Sequence, residues 1–503
     1  MFLLNFYTED FEYVMVPLWL LIVYTFAVIF RSTFYKNTPY YRYFMPALTL
    51  KIIGGVGVGL IYQYYYTWGD TMHYFMSASH INVILLENFE DGMYLLQYGG
   101  SRLDYKMWQI VQKYRYIGYL GDPNAFMVAR LMVIPAFLTL NSYYASSIIV
   151  SAVSFVGIWA LFRIYCTIYP ALIRQFAVAI FYIPSVFFWG SGILKDPITL
   201  SALGLIAYSF FSIFILKKYI FLNTLSILLS GYIIYKIKSY IILSFIPFLL
   251  IWIGLETRDT IRHGLIRFIL APLLVFFSGF FGFLAIRALG QSDARFSLEN
   301  FLQTAVEVKK DLNQSYYYSD GVGSSYDIGE FDPTLTGMLS KFPISVFTAL
   351  FRPLPHEVRN PIMALSAIEN LFVLLLLVLM FRKVNLIAIG FAVSRSPFLI
   401  FSLGYSLSFA FMVGLTSGNF GNLVRYKIPA VPFFMCALYI IHSVYIRDSE
   451  YMVRKKWEKR RLQMMSTHRA DLKPPPSAPP TPRPAPPPIP SFKIGEFKQA
   501  DAG

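Results

Sequence analysis

The chain has 503 residues, of which 56% are hydrophobic and only 14% charged, and its mean hydropathy is +0.53. Soluble domains carry about 25% charged residues, so the composition excludes a soluble globular enzyme and predicts an all-α polytopic membrane protein. The net charge of +15 is concentrated, with nine Lys and Arg residues between Arg447 and Lys473; such a cluster marks the cytoplasmic side of a membrane, and no nucleic-acid partner is expected.

The first apolar run follows the acidic stretch TEDFEY, so no cleavable signal peptide is expected. A bilayer core of about 30 Å takes about 20 apolar residues to cross. On that measure, about 11 spans are predicted, near 14–30, 44–65, 143–162, 175–191, 197–216, 219–235, 240–254, 268–289, 362–381, 397–415 and 428–446. A further apolar stretch at 125–140 is short and contains Arg130 and Pro135. If it does not cross, basic loops at Arg31–Arg42, Arg163–Arg174, Lys217–Lys218, Arg258–Arg267 and Arg382–Lys383 all fall on the inner side, as the positive-inside rule prefers. The N-terminus then lies outside, the tail inside, and the loop 290–361, with nine acidic and six basic residues, outside.

Three regions follow: an extra N-terminal span and loop (1–43), a transmembrane module (44–446) with outer loops 66–124 and 290–361, and a tail (447–503) that is basic and then proline-rich. The stretches HYFMSASHINVILLENF and YKMWQIVQKYRYIGYL read as helices lying along the outer interface. The loop 290–341, rich in Gly, Ser, Asp and Tyr, reads as a flexible cover. Its acids Asp320, Asp327, Glu330 and Asp332 could bind a divalent cation, but they match no calcium-loop spacing, and no metal or other cofactor is required. The Gly54–Gly59 run permits close helix packing. Cys166 and Cys436, both in apolar surroundings, read as filler. The proline-dense tail reads as an extended spacer, with a proline-binding partner as the alternative.

This topology gathers scattered charges onto the outer face: Asp70, Lys195 and Asp196, Lys236 and Lys238, Arg352 and Glu357, Arg425 and Lys427. Six outward cations run against the positive-inside trend, and a shared anionic ligand such as a lipid-linked phosphate accounts for them together. Snorkelling or local pairing, as between Lys195 and Asp196, is the plainer account of any one. Asp70, in YYYTWGDTMHYF, would stay ionised near such cations and accept a proton from an attacking hydroxyl. Its plainer role is to cap a helix starting near Thr71. His73 lies one turn on and reads as a hydrogen-bonding neighbour.

An acidic residue opening the first large outer loop, followed by interfacial helices, resembles the polytopic GT-C glycosyltransferases. PSVFFWGSGILKDP (Pro184–Pro197) is similar to an outward turn in that family, and RPLPHE and GNFGNLVRYKIPAVPF look like late motifs of its relatives and of polysaccharide-polymerising membrane proteins. The resemblance covers roughly residues 44–446 as an arrangement and is specific only at these four places. It implies transfer of a sugar from a polyprenyl-phosphate donor to a glycan, lipid or protein acceptor at the outer face of a bacterial inner membrane. Asp70 matches the position of the family's catalytic base, and Lys195, Arg352 and Arg425 are the expected phosphate ligands. Two departures are an added N-terminal span and Thr71, where many relatives have a second acid. A polysaccharide polymerase, a transporter and a scaffold working through its tail are the competing expectations.

Overall fold

A computed structural model describes residues 9–34, 38–100, 104–114, 117–257, 326, 328–329, 332, 334–384 and 386–445. The expected span at 268–289, the acids Asp320, Asp327 and Glu330, and the basic and proline-rich tail lie outside the described residues.

The regular structure of the described residues is helical, without a strand. In chain order it comprises α1 (Glu9–Phe34), α2 (Phe44–Leu60) continued by a π-helical turn (Ile61–Tyr65), α3 (Asp70–Glu87), α4 (Phe89–Tyr98), α5 (Tyr105–Tyr114), α6 (Pro123–Leu138), α7 (Tyr143–Ile168), α8 (Ile173–Phe181) and α9 (Pro184–Phe187). It continues with α10 (Lys195–Phe210), α11 (Ile220–Thr257), α12 (Leu335–Ser340), α13 (Phe342–Phe351), α14 (Pro361–Lys383), α15 (Leu386–Arg395), α16 (Pro397–Thr416), α17 (Phe420–Tyr426) and α18 (Val431–Tyr445). Seven of these helices are long and apolar enough to span a membrane, or eight if the pair α17–α18, bent by 65°, counts as one span. The protein is therefore a polytopic membrane protein.

The observed helices differ from the expected spans where the backbone breaks. The expected crossing at 175–191 is two short helices, because the Pro184 nitrogen carries no hydrogen to continue α8. The expected pair 219–235 and 240–254 falls in α11, which is two helical segments meeting at a kink at Lys238, whose φ of −149° and ψ of 73° are not helical, between the two expected segments.

Helix α6 has both ends at the same end of the bundle. Asp122, its N-cap, lies 3.8 Å from Lys195 at the start of α10. At its other end Thr139 bonds Ser146 of α7 (2.7 Å), and Tyr143, the first residue of α7, donates to Thr71 (2.7 Å). It therefore lies along that rim, as the non-crossing topology expects. With α3 it forms a second core, in which Tyr74, Phe75, Ile81, Phe126 and Met132 are buried. Burial around much of α3 distinguishes it from a surface-lying helix. Helix α5 does have that character, burying Met107 and Ile110 while exposing Tyr105 and Trp108.

Small residues let the central helices meet. A Cβ on Gly157 of α7 would fall 1.9 Å from the Ser201 carbonyl of α10, and one on Gly204 would fall 2.0 Å from the Gly157 carbonyl. Without a hydrophobic drive between helices in lipid, such backbone approach is a main source of packing energy. In the same way Gly54 and Gly55 of α2 receive the Phe187–Gly192 segment, with Gly192 at φ +71°. That segment thus sinks between α2 and α7 before α10 begins.

Candidate functional site

Four broken or capped elements deliver charge to one place. The turn into α3 needs Gly69, whose φ of +143° excludes most side chains and where a Cβ would lie 2.6 Å from the Tyr62 ring. Gly69, not Asp70, is the N-cap of α3. The Asp70 carboxylate does not cap the helix: it accepts from Tyr119 Oη (2.8 Å) and from Arg425 Nη2 (3.1 Å).

Arg425, on the seven-residue α17, also donates from Nη1 to Tyr62 Oη (3.1 Å), and its Nε lies 3.5 Å from Asp196 Oδ2. Asp196, in the first turn of α10, is fully buried and accepts from Lys238 at the kink of α11. Lys238 Nζ in turn sits 4.7 Å from the Tyr426 ring centre. Lys195, paired with Asp122, completes the group. Charges alternate along the chain Lys238–Asp196–Arg425–Asp70, as a low-dielectric site requires.

Burial works to raise the Asp70 carboxyl. The charge of Arg425, the hydrogen bonds from Tyr119 and Arg425, and the charge of Lys195 together outweigh it, so Asp70 lies below the ordinary carboxyl range. It is ionised at neutral pH. His73 Nε2 accepts from Trp68 Nε1 (2.6 Å), and its ring meets that of Tyr119, a partner of Asp70, edge-on.

Asp70 and Arg425 open onto a cavity of about 380 Å³. Tyr62, Tyr66, Trp68, Trp189 and Phe420 give it aromatic walls, and Asn419 and Asn422 add amides. That size falls within the range of small-molecule sites, about 300–1,000 Å³.

Of the six expected cations, the structure brings Lys195, Lys238 and Arg425 together with Asp70 and Asp196. The other three go elsewhere. Lys236 is exposed and near the Tyr232 and Tyr235 rings, in the helical segment before the kink, whereas Lys238 lies at the kink itself. Arg352 pairs with Glu357 and lies beside the stacked rings of Tyr326 and Phe420, at 5.2 and 5.3 Å from their centres. Burial tends to raise the Glu357 carboxyl, but the Arg352 hydrogen bond and charge and the Leu354 amide bring it below its usual value. Arg352 thus buttresses the back of Phe420, a cavity wall. Lys427 is buried, with Asn370 as its partner.

Tyr62, Tyr119 and Asp122 belong to the site without having been singled out. Asp122 had a readable signal: GDPNAF places Asp directly before a helix-opening proline. Tyr119 had none, because its role depends on a turn at φ +63° that aims it back at Asp70. No group of three or more metal-ligating side chains occurs among the described residues.

Compared with protein-family models, curated proteins and solved structures, the chain matches none.

Proposed function

We propose that the protein is a membrane glycosyltransferase of GT-C type, moving a sugar from a polyprenyl-phosphate donor to an acceptor hydroxyl with inversion. The observation that carries this reading is the Asp70 carboxylate, held ionised by Tyr119 and Arg425 at the edge of an aromatic-lined cavity. The reading includes an eleven-span arrangement in a bacterial inner membrane, with this site on the outer face and the tail in the cytoplasm.

The phosphate of the donor competes with Asp70 for Arg425, since both are anions suited to a guanidinium. As Arg425 turns to the phosphate, Asp70 loses its strongest acid-stabilising neighbour and becomes a better base. It accepts the acceptor hydroxyl's proton while that oxygen bonds to the anomeric carbon. The bond from that carbon to the phosphate oxygen breaks, and the electron pair leaves on the phosphate, where Arg425, with Lys195 nearby, stabilises it. The aromatic walls offer apolar faces to the sugar ring.

The test is transfer of radiolabel from a polyprenyl-phosphate sugar added to right-side-out vesicles containing the protein. Label leaving the lipid for an acceptor fraction supports the reading; label retained in the donor at every acceptor tried overturns it.

The pH profile carries a sign. Asp70 is depressed in the free protein, so the acid limb of kcat/KM lies below the ordinary carboxyl range. With donor bound, Arg425 is shared with phosphate, so the acid limb of kcat lies at higher pH than that of kcat/KM. Coincident limbs would show that Arg425 stays on Asp70 throughout. The stabilising contribution of the Asp70 contacts has the same sign: present above the unfolded-state value, lost as pH falls through the folded one.

A polysaccharide polymerase is a second reading, favoured by the central place of Arg425 among Asp70, Asp196 and Tyr62. It places less weight on a single carboxylate.

A further inference from the structure

Helix α14 carries two polar residues that the chemistry above does not use. Met363 and Ser366 line the cavity, and along the same helix Glu369 and Asn370 lie deeper, 4% and 0% exposed. Glu369 accepts from the Ser185 amide (2.6 Å) and hydroxyl (2.7 Å), and so holds the Pro184 break that leads to Asp196. Asn370 accepts from Lys427 Nζ through Oδ1, and its Nδ2 donates to the Pro353 carbonyl (3.3 Å).

Lys427 is 1% exposed and follows Arg425 by two residues, as the C-cap of α17. Its carbonyl accepts from the Ala430 amide (2.9 Å) and, more weakly, from that of Val431 (3.3 Å), so it is the pivot between α17 and α18. Moving this ammonium off Asn370 would cost it its hydrogen-bond acceptor in a buried setting where the nearby Glu369 charge also holds it, a costly change that resists any slide of the pivot. One rung of α14 therefore fixes both segments whose charges meet at Asp196 and Arg425.

We infer that Asn370 and Lys427 form a positioning pair that fixes the bend after α17 and so sets the reach of Arg425 toward Asp70 and the cavity. Its consequence for ligand affinity rests on the reading that Arg425 takes a lipid phosphate; its consequence for the placement of α17 does not.

The test uses full-length protein in detergent carrying Asn422→Cys, a cavity-wall position, as a reporter; Cys166 and Cys436 are buried and give little background. The rate of labelling by a charged maleimide is measured in this parent, in N370A, which removes the acceptor, and in N370D, which keeps one. N370A is expected to change the rate by about threefold or more, and N370D to return it to within about twofold of the parent. An unchanged rate in N370A, or equal changes in both variants, would overturn the inference. In a second arm, without the reporter, the Kd for polyprenyl phosphate is expected to rise about tenfold in N370A and to recover in N370D. If the wild-type protein binds no polyprenyl phosphate, the phosphate reading fails while the labelling arm still decides the positioning role. If N370A does not fold, parent-like labelling and affinity in N370D support the pair, and altered values there overturn it.

Discussion

Asp70→Asn is expected to lower sugar transfer by about 10²–10⁴-fold, the usual contribution of a positioned general base, while leaving donor binding intact. The amide keeps the size of the side chain, and its one oxygen can still accept from Arg425 while its NH2 faces the Tyr119 hydroxyl, which can turn to accept, but the amide cannot take a proton. Arg425 loses a competing carboxylate, so the donor phosphate binds at least as tightly as before. Single-turnover transfer with labelled donor, measured beside donor binding, separates the two effects. Full transfer in the variant would remove Asp70 from the chemistry and favour the polymerase reading. Lost binding with lost transfer would show that Asp70 holds the site together.

Asp196→Asn is expected to be the most destabilising change in the cluster. The carboxylate is fully buried and faces both Lys238 and Arg425, which are 7% and 15% exposed. Removing one partner from a buried ion pair leaves uncompensated charge and costs about 3–5 kcal/mol. Thermal unfolding in detergent should show this as a lowered Tm, whereas Lys236→Ala, at an exposed position, should fall within about 0.5 kcal/mol of the parent. The double variant D196N/K238M removes charge of both signs and should recover part of the loss. If the double variant is no more stable than D196N, the Lys238–Asp196 pair is not the source of the cost.

Much of the site's location was legible from charge and hydropathy. The positive-inside bias placed five charged breaks in the apolar pattern at one end, and the structure brings Asp70, Asp196, Lys238 and Arg425 together from four of them, Asp70 and Arg425 being 355 residues apart. The partners of each charge were not legible. Whether a lysine meets Asp196 or faces outward is set here by the kink: Lys238 is the residue that leaves helical geometry, and Lys236, two residues before it, stays exposed. Hydropathy also does not register where a helix breaks: 175–191 is apolar enough to cross, yet Pro184 divides it. Glu369 and Asn370 lay inside a predicted span, where an acid in an apolar run is itself a sign of buried pairing. Their partners, Ser185 and Lys427, are 184 and 57 residues away, a distance that no local pattern bridges.

If Arg425 and its neighbours form the proposed site for a lipid-linked phosphate, the protein should hold polyprenyl phosphate in preference to an ordinary anionic phospholipid. Native mass spectrometry of the purified protein with polyprenyl phosphate and, in parallel, phosphatidylglycerol tests it most directly, in the wild type and in Arg425→Ala. Selective retention of polyprenyl phosphate by the wild type, lost in the variant, is the expected result. Equal retention of both lipids, unchanged by Arg425→Ala, would contradict it.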